Sequence, residues 1–189
     1  SSHGLLQVLR AEGCAADVVS AGELMRARRA GFAPEEIIFG GVGKTRAEIR
    51  AGLQAGVKLL NIESAAELAI VEDEARALGV RAQIAFRVNP EVHVANAHEY
   101  IATGSRGHKF GIPWGDVSGI AAQALASKHV ELLGLDMHVG SQLESLDPYR
   151  DGVERLAELA RSLQAQGAPL RYLDAGGGLP ARYGTEDAP

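Results

Sequence analysis

A short pattern that occurs three times in the first half of the chain restricts the fold more than any other feature of the sequence. Each copy is an apolar stretch of β-strand length, then Ser or Thr followed three residues later by Glu, then a helical stretch that stops at glycine. That spacing is typical of a capping box, in which both side chains bond free N–H groups at a helix start. The copies begin at Ser20, Thr45 and Ser64. Strands that alternate with helices in this way predict a parallel sheet covered by helices.

The remaining segments continue the alternation and predict the fold class. The predicted strands cover residues 16–19, 36–40, 57–62, 83–89, 132–143 and 173–179, and the last two run into loops. Together with six predicted helices they form an α/β fold of about six parallel strands with outer helices. A closed (β/α)8 barrel has eight such units. We therefore expect a partial TIM-like barrel that lacks the first and eighth strands.

The segment LLGLDMHVGSQL at 132–143 separates apolar from polar side chains. In an extended strand, alternate residues face opposite sides. One side is predicted to pack on the outer helices and carries Leu133, Leu135, Met137 and Val139. The other side faces the barrel interior and carries Gly134, Asp136 and His138.

The helical period of the next helix predicts a buried stripe of Val153, Leu156, Ala160 and Leu163.

Two loops rich in small residues follow the last two strands. His138 is followed by Gly140 and Ser141, and the segment LDAGGGL places three consecutive glycines at 176–178. Glycines let backbone N–H groups approach an anion that side chains would block. The two loops therefore indicate a phosphate site. A tight turn with a helix cap, and an ordinary core histidine, are the structural alternatives.

Charge and composition exclude several classes of function. The net charge is −5 and the Lys and Arg residues are scattered, so we expect no nucleic-acid partner. No apolar run approaches the roughly 18 residues of a membrane span, so we expect no membrane partner. Cys14 is the only cysteine, which is compatible with a reducing cytoplasm. We expect no metal site.

Six segments together resemble the barrel domain of the fold-type III pyridoxal-phosphate-dependent decarboxylases. They occur in order over nearly the whole chain: ADVVSAGEL, IIFGGVGKTRAEI, FRVNP, YIATG with HKFGI, LDMHVGSQL and LDAGGGLP. YIATG and HKFGI resemble the branch that acts on diaminopimelate more than the ornithine or arginine branches. The resemblance implies that 1–189 is a partial barrel domain binding pyridoxal 5'-phosphate (PLP). The implied reaction is decarboxylation of an amino-acid substrate, meso-diaminopimelate, to L-lysine and CO2.

The same resemblance implies roles for individual residues. His138 resembles the histidine that stacks on the pyridoxal ring. Arg87 resembles the arginine that supports the cofactor from its ring-hydroxyl side. The residues that resemble the phosphate cradle are Ser141, Gly176, Gly177 and Gly178. Asp17 and Glu23 match acidic positions near the cofactor.

Other parts of the family pattern have no counterpart in these residues. In the family, a lysine on the first barrel strand binds the cofactor as a Schiff base, and none of Lys44, Lys58, Lys109 and Lys128 stands in that context. The Glu-Pro-Gly-Arg segment of the eighth strand and the C-terminal β-domain are also unmatched. We therefore expect a part of a longer homodimeric enzyme, inactive by itself. Lys109 resembles a residue of the family's dimer interface.

Three alternatives remain open from the residues alone. Arg87 could be a structural ion-pair partner of Asp136 or Asp174 rather than a ligand residue. The chain could be a phosphate-binding barrel enzyme that uses no PLP. It could also be a non-catalytic regulatory relative, for which an absent lysine is no defect.

Overall fold

A computed structural model describes residues 2–92, 110–143 and 145–180, and within them six parallel strands form a curled half-barrel. The strands are β1 (Ala16–Val18), β2 (Ile37–Phe39), β3 (Leu59–Ile62), β4 (Ala82–Arg87), β5 (Val130–Asp136) and β6 (Tyr172–Asp174). The helices are α1 (His3–Ala11), α2 (Ala21–Arg29), α3 (Arg46–Ala55), α4 (Ala65–Leu78), α5 (Val117–Ala126) and α6 (Asp147–Ala165). Short 3-10 turns lie at Pro34–Glu36 and Trp114–Asp116. The predicted partial barrel of six strands is confirmed.

The strands lie in the order in which they occur along the chain, and each pairs in parallel with the next. Their carboxyl ends therefore meet at one rim of the half-barrel. β1 and β6 form the two edges of the described sheet. Within the same residues, no helix is long and apolar enough to cross a membrane.

The predicted capping pattern starts α2, α3 and α4, but only one of its copies closes as a full capping box. At Thr45 the hydroxyl accepts from Glu48 N, and the Glu48 carboxylate accepts from Thr45 N. Ser20 and Ser64 also accept at their helix starts. Their glutamates, however, accept from the N–H one residue earlier, at Val19 and Glu63. The sequence spacing was therefore correct for the helix starts and wrong for these two carboxylates.

A β-bulge in β5 changes the predicted inside and outside of that strand. Ile84 pairs with Leu132 and the next residue, Ala85, pairs with Gly134, so Leu133 is an extra residue. A bulge of this kind interrupts the strict alternation of side chains. Leu133 packs inside the half-barrel with Leu59 and Ala85, and not among the outer helices as predicted. The predicted outer positions of Leu135, Met137 and Val139 are confirmed by their place in the main core.

The buried face of α6 differs from the predicted stripe at one position. Val153 is 41% exposed, whereas Gly152 and Leu159 are buried with the other predicted residues. A Cβ on Gly152 would lie 2.8 Å from Met137 Sδ. Gly152 thus faces Met137, the residue after β5, at close range, and Val153 lies toward solvent.

Candidate functional site

A cavity of about 680 Å³ opens at the carboxyl ends of the strands. Its volume is in the range of small-molecule sites. Every strand, or the loop that follows it, contributes to the wall, because the carboxyl ends of parallel strands meet at one rim. The lining residues are Asp17, Val19, Gly40, Gly41, Val42, Asn61, Glu63, Arg87, Asp136, His138, Asp174, Gly176 and Gly177.

The structure brings most of the predicted site residues together. Asp17, Arg87, His138, Gly176 and Gly177 all line the cavity. The remaining predicted site residues, Ser141, Gly178 and Glu23, are not among its lining residues. The loops are nevertheless joined beside it, because Leu143 N donates to Gly178 O at 3.0 Å. The Glu23 carboxylate accepts a hydrogen bond from Val19 N at 2.9 Å. Glu23 therefore has a structural role at the start of α2.

The glycine loop after β6 is shaped by close contact with the loop after β5. Gly176 has φ +74°, and a Cβ there would collide with the carbonyl oxygen of Met137. The same Cβ would lie 3.2 Å from His138 Nδ1, so glycine and histidine are neighbours. Gly176 N donates to Asp174 Oδ1 at 2.8 Å. Only glycine fits this position without movement of the backbone.

The next two glycines offer hydrogen-bond donors. Around Gly177 a Cβ would meet no atom within 4 Å. Its carbonyl oxygen accepts from the Tyr149 hydroxyl at 2.8 Å. Within the described residues, the N–H groups of Gly177 and Gly178 have no hydrogen-bond partner. Adjacent free N–H groups in a glycine loop form a site suited to an anion such as phosphate.

His138 is half-buried in the cavity wall. Burial lowers the pKa of its imidazole, the positive charge of Arg87 lowers it further, and Asp174 opposes both. The ring is therefore held in its neutral form around neutral pH. A neutral, positioned imidazole can pack against the face of a flat ligand.

Four carboxyl groups surround Arg87 at the cavity floor. Arg87 Nη1 forms an ion pair with Glu63 Oε1 at 2.8 Å. Its Nε lies 4.0 Å from Asp136 Oδ2, which is too far for a hydrogen bond. Asp17 and Asp174 complete the group of carboxyls that line the same cavity. The short ion pair of Arg87 is therefore with Glu63. Of the two partners in the alternative drawn from the sequence, Asp136 or Asp174, Asp136 makes a long ion-pair contact of 4.0 Å.

The crowding of carboxyls changes their acidity. Burial raises the pKa of Asp136 to about 8, and the neighbouring Asp174 adds to this rise despite the opposing charge of Arg87. Burial and Asp174 also raise the pKa of Asp17. Asn61 Nδ2 donates to Asp136 Oδ2 at 3.1 Å. In the described part of the chain, the buried Oδ1 of Asn61 has no partner.

The described lysines do not offer a free amine to the cavity. Lys44 is buried, and its three N–H donors are directed at Gly41 O, Asn61 O and Glu67 Oε1. Lys58 lies 4.4 Å from the centre of the Tyr172 ring, at the amino ends of the strands. Lys128 is exposed just before β5. Lys109, with the YIATG segment, lies outside the described residues.

Sequence reasoning missed Glu63 and Asn61 as residues of the site. Asn61 had a usable signal, because it is the inward polar residue of the predicted strand 57–62. Glu63 comes directly after that strand and before a helix cap, where acidic residues are common for local reasons. No group of three or more His, Cys, Asp or Glu suited to a metal occurs among the described residues.

Comparison with known proteins gives a consistent result. Residues 1–189 match the family model described as "Pyridoxal-dependent decarboxylase, pyridoxal binding domain". The chain is 44% identical over 189 residues to the diaminopimelate decarboxylase of Pseudomonas aeruginosa, covering 100% of this chain and 45% of that protein. The crystal structure of the Helicobacter pylori diaminopimelate decarboxylase with L-lysine is 38% identical, with a TM-score of 0.93 over 98% of this chain and 47% of that one. The chain thus spans about half the length of these relatives.

More distant structures share the fold. The diaminopimelate decarboxylase of M. jannaschii, also solved with L-lysine, is 31% identical with a TM-score of 0.89 over 98% of this chain and 43% of that one. An arginine decarboxylase of Paramecium bursaria Chlorella virus is 22% identical with a TM-score of 0.81, covering 94% of this chain and 45% of that one. At that identity, the likeness to the arginine enzyme concerns the fold alone.

Proposed function

The chain belongs to the pyridoxal-dependent decarboxylases, and on that premise we propose that it is the PLP-binding barrel of a diaminopimelate decarboxylase. The observation that carries the proposal is the cavity in which His138, Arg87 and the glycine loop meet at one rim. The relatives that share about 40% of its residues are named diaminopimelate decarboxylases, and the arginine enzyme is much more distant. The substrate of the proposed enzyme is meso-diaminopimelate, and the products are L-lysine and CO2.

The residues present fit the cofactor. The N–H groups of Gly177 and Gly178, which have no partner among the described residues, are suited to its phosphate, and the space beside Gly177 lets the backbone approach an anion. The neutral ring of His138 is suited to a stacked position on the pyridine, and Arg87 offers donors to an oxygen of the ring. When bound, PLP would supply a conjugated ring that takes up the electron pair left on the substrate carbon when CO2 departs.

Other residues of the cavity would orient the cofactor and shield it from water. The Arg87 guanidinium is surrounded by carboxyl groups, and their attraction keeps it at the cavity floor. Lys44 fixes the wall formed by the loop after β2, because it bonds Gly41 O and Asn61 O at once. A rigid wall limits the movement of a flat ligand and the entry of water. Ser141 remains a predicted phosphate contact, although it does not line the cavity.

The full-length gene product is expected to decarboxylate meso-diaminopimelate in the presence of PLP and to release L-lysine. Diaminopimelate, ornithine and arginine are assayed side by side, with CO2 release and amine product measured for each. We expect diaminopimelate to be strongly preferred, because relatives that are more than 40% identical are named diaminopimelate decarboxylases. A clear preference for ornithine or arginine would contradict the assignment. No turnover with PLP bound would favour the regulatory alternative, and turnover without PLP would favour the PLP-independent one.

The 189-residue chain by itself is expected to hold PLP only weakly and without a covalent bond. Lys44 has all its donors engaged in the protein, and Lys58 lies at the opposite end of the strands. The chain is mixed with PLP, reduced with borohydride and weighed by mass spectrometry. The full-length gene product, treated in parallel, is the control and should gain one pyridoxyl group. A stoichiometric adduct on one lysine of the short chain would refute this prediction.

Two further expectations from the resemblance stay predictions. Assembly as a homodimer rests on the family resemblance, in which Lys109 resembles an interface residue, and Lys109 lies outside the described residues. A cytoplasmic location rests on the family resemblance and on the single cysteine. Light scattering of the full-length gene product and fractionation of cells that express it are the respective measurements.

A further inference from the structure

Four charged residues form a continuous network that reaches the cavity wall at Glu63 and Arg87. Glu63, Glu67 and Lys44 are buried, with 8%, 7% and 7% of their surface exposed, and the Arg87 side chain is 17% exposed. Burying charged groups is unfavourable unless they are paired and hydrogen-bonded. Here each acid faces a base, so the network is neutral as a whole.

The network joins the carboxyl ends of three successive strands, β2, β3 and β4. Lys44 Nζ, after β2, pairs with Glu67 Oε1 at 3.0 Å. Glu67 Oε2 accepts from Glu63 N at 2.7 Å, which fixes the backbone that carries Glu63. Glu63 Oε1 then accepts from Arg87 Nη1 at 2.8 Å, and Glu63 Oε2 accepts from Gly111 N at 3.0 Å. One carboxylate oxygen of Glu63 therefore binds Arg87, and the other binds the backbone at Gly111.

Besides its contact with Glu63, the guanidinium lies over the Phe110 ring, 5.8 Å from the ring centre, and among the described residues two of its nitrogens make no hydrogen bond. Within the described residues, Nη2 and Nε of Arg87 make no hydrogen bond, and Nε is 4.0 Å from Asp136 Oδ2. A guanidinium has five donors in a rigid fork, so fixing one nitrogen fixes the direction of the others. Arg87 lines the cavity with those donors still available.

We propose that Glu63 is a positioning residue that holds the Arg87 guanidinium in the orientation in which it contacts PLP, while Lys44 and Glu67 hold Glu63. This rests on the proposed function, in which Arg87 contacts the cofactor. Glu63 itself touches no ligand in this scheme. Its effect on PLP therefore passes through Arg87 and disappears when the guanidinium is removed.

A double-mutant cycle on the full-length gene product separates this role from a general structural one. PLP affinity is measured by titrating the apoprotein and following the absorbance of the bound cofactor. The variants are Glu63→Gln, Arg87→Met and the two combined. Glu63→Gln keeps the shape and one acceptor, and we expect it to weaken PLP binding roughly tenfold, a typical coupling within one ion-pair network. Added to Arg87→Met, it should cause no further loss.

The matched control is Glu131→Gln, which breaks the 3.2 Å ion pair between Glu131 of β5 and Arg81, the residue before β4, at the amino ends of the strands. It should leave PLP affinity unchanged. If Arg87→Met does not fold, the cycle is repeated with Arg87→Lys, which keeps the charge and loses the fork. Losses that add in the double variant, or an unchanged affinity in Glu63→Gln, would overturn the inference. Failure of the unmodified protein to bind PLP would instead overturn the proposed function.

Discussion

Replacing Gly176 with alanine is expected to reduce PLP affinity by about 100-fold or more. The new Cβ would collide with the Met137 carbonyl oxygen and would stand at φ +74°, where side chains are strained. The glycine loop must then move away from His138, and the donors of the two following glycines move with it. In the proposed function these two donors bond the phosphate, and the loss of two hydrogen bonds to a charged group accounts for the expected size of the effect.

Stability and affinity are measured together on the apo and PLP-bound full-length gene product. Urea unfolding of Gly176→Ala should show a loss of about 2 to 4 kcal/mol. The neighbouring Gly177→Ala is the control for the fold, because its Cβ meets nothing within 4 Å and its φ is outside the left-handed region. It should change the free energy of unfolding by less than about 0.5 kcal/mol. Normal PLP affinity in Gly176→Ala would refute the role of the loop.

Replacing Asp136 with asparagine is expected to stabilise the apoprotein at pH 8 and to have little effect near pH 4. Burial, together with Asp174, raises the pKa of Asp136 from 3.8 to about 8 in the folded state. The unfolded chain loses this proton near pH 4, so the folded state binds more protons between the two values. Stability contributed by Asp136 therefore falls as the pH rises from about 4 to about 8, and is constant outside that window.

Asparagine cannot ionise and removes this dependence. The difference in free energy of unfolding between Asp136→Asn and the unmodified protein should grow to a few kcal/mol by pH 8, because each pKa unit is worth about 1.4 kcal/mol. Urea unfolding at a series of pH values measures it. Asp151→Asn, at an exposed position on α6, is the matched control and should run parallel to the unmodified protein. A constant difference between pH 4 and pH 8 would contradict the raised pKa.

The order of helices and strands and the direction of most side chains were predictable from the sequence. Thr45 and Glu48 close a capping box as their spacing predicts, and Gly56 and Gly79 end their helices in the left-handed conformation. These features depend on groups a few residues apart, so the chemistry that determines them is visible along the chain. The meeting of His138 and Gly176 was also predictable, because parallel strands of a barrel end at one rim.

Only the tertiary structure decided which partners the polar residues of the site have. The bulge at Leu133 depends on the register between β4 and β5, and the exposure of Val153 accompanies the close contact between Gly152 and Met137. Glu63 and Arg87 are 24 positions apart, and no local pattern connects them. Their pairing, and the raised pKa of Asp136, arise because the curled sheet brings side chains from separate strands into one buried volume, where distance and desolvation determine charge.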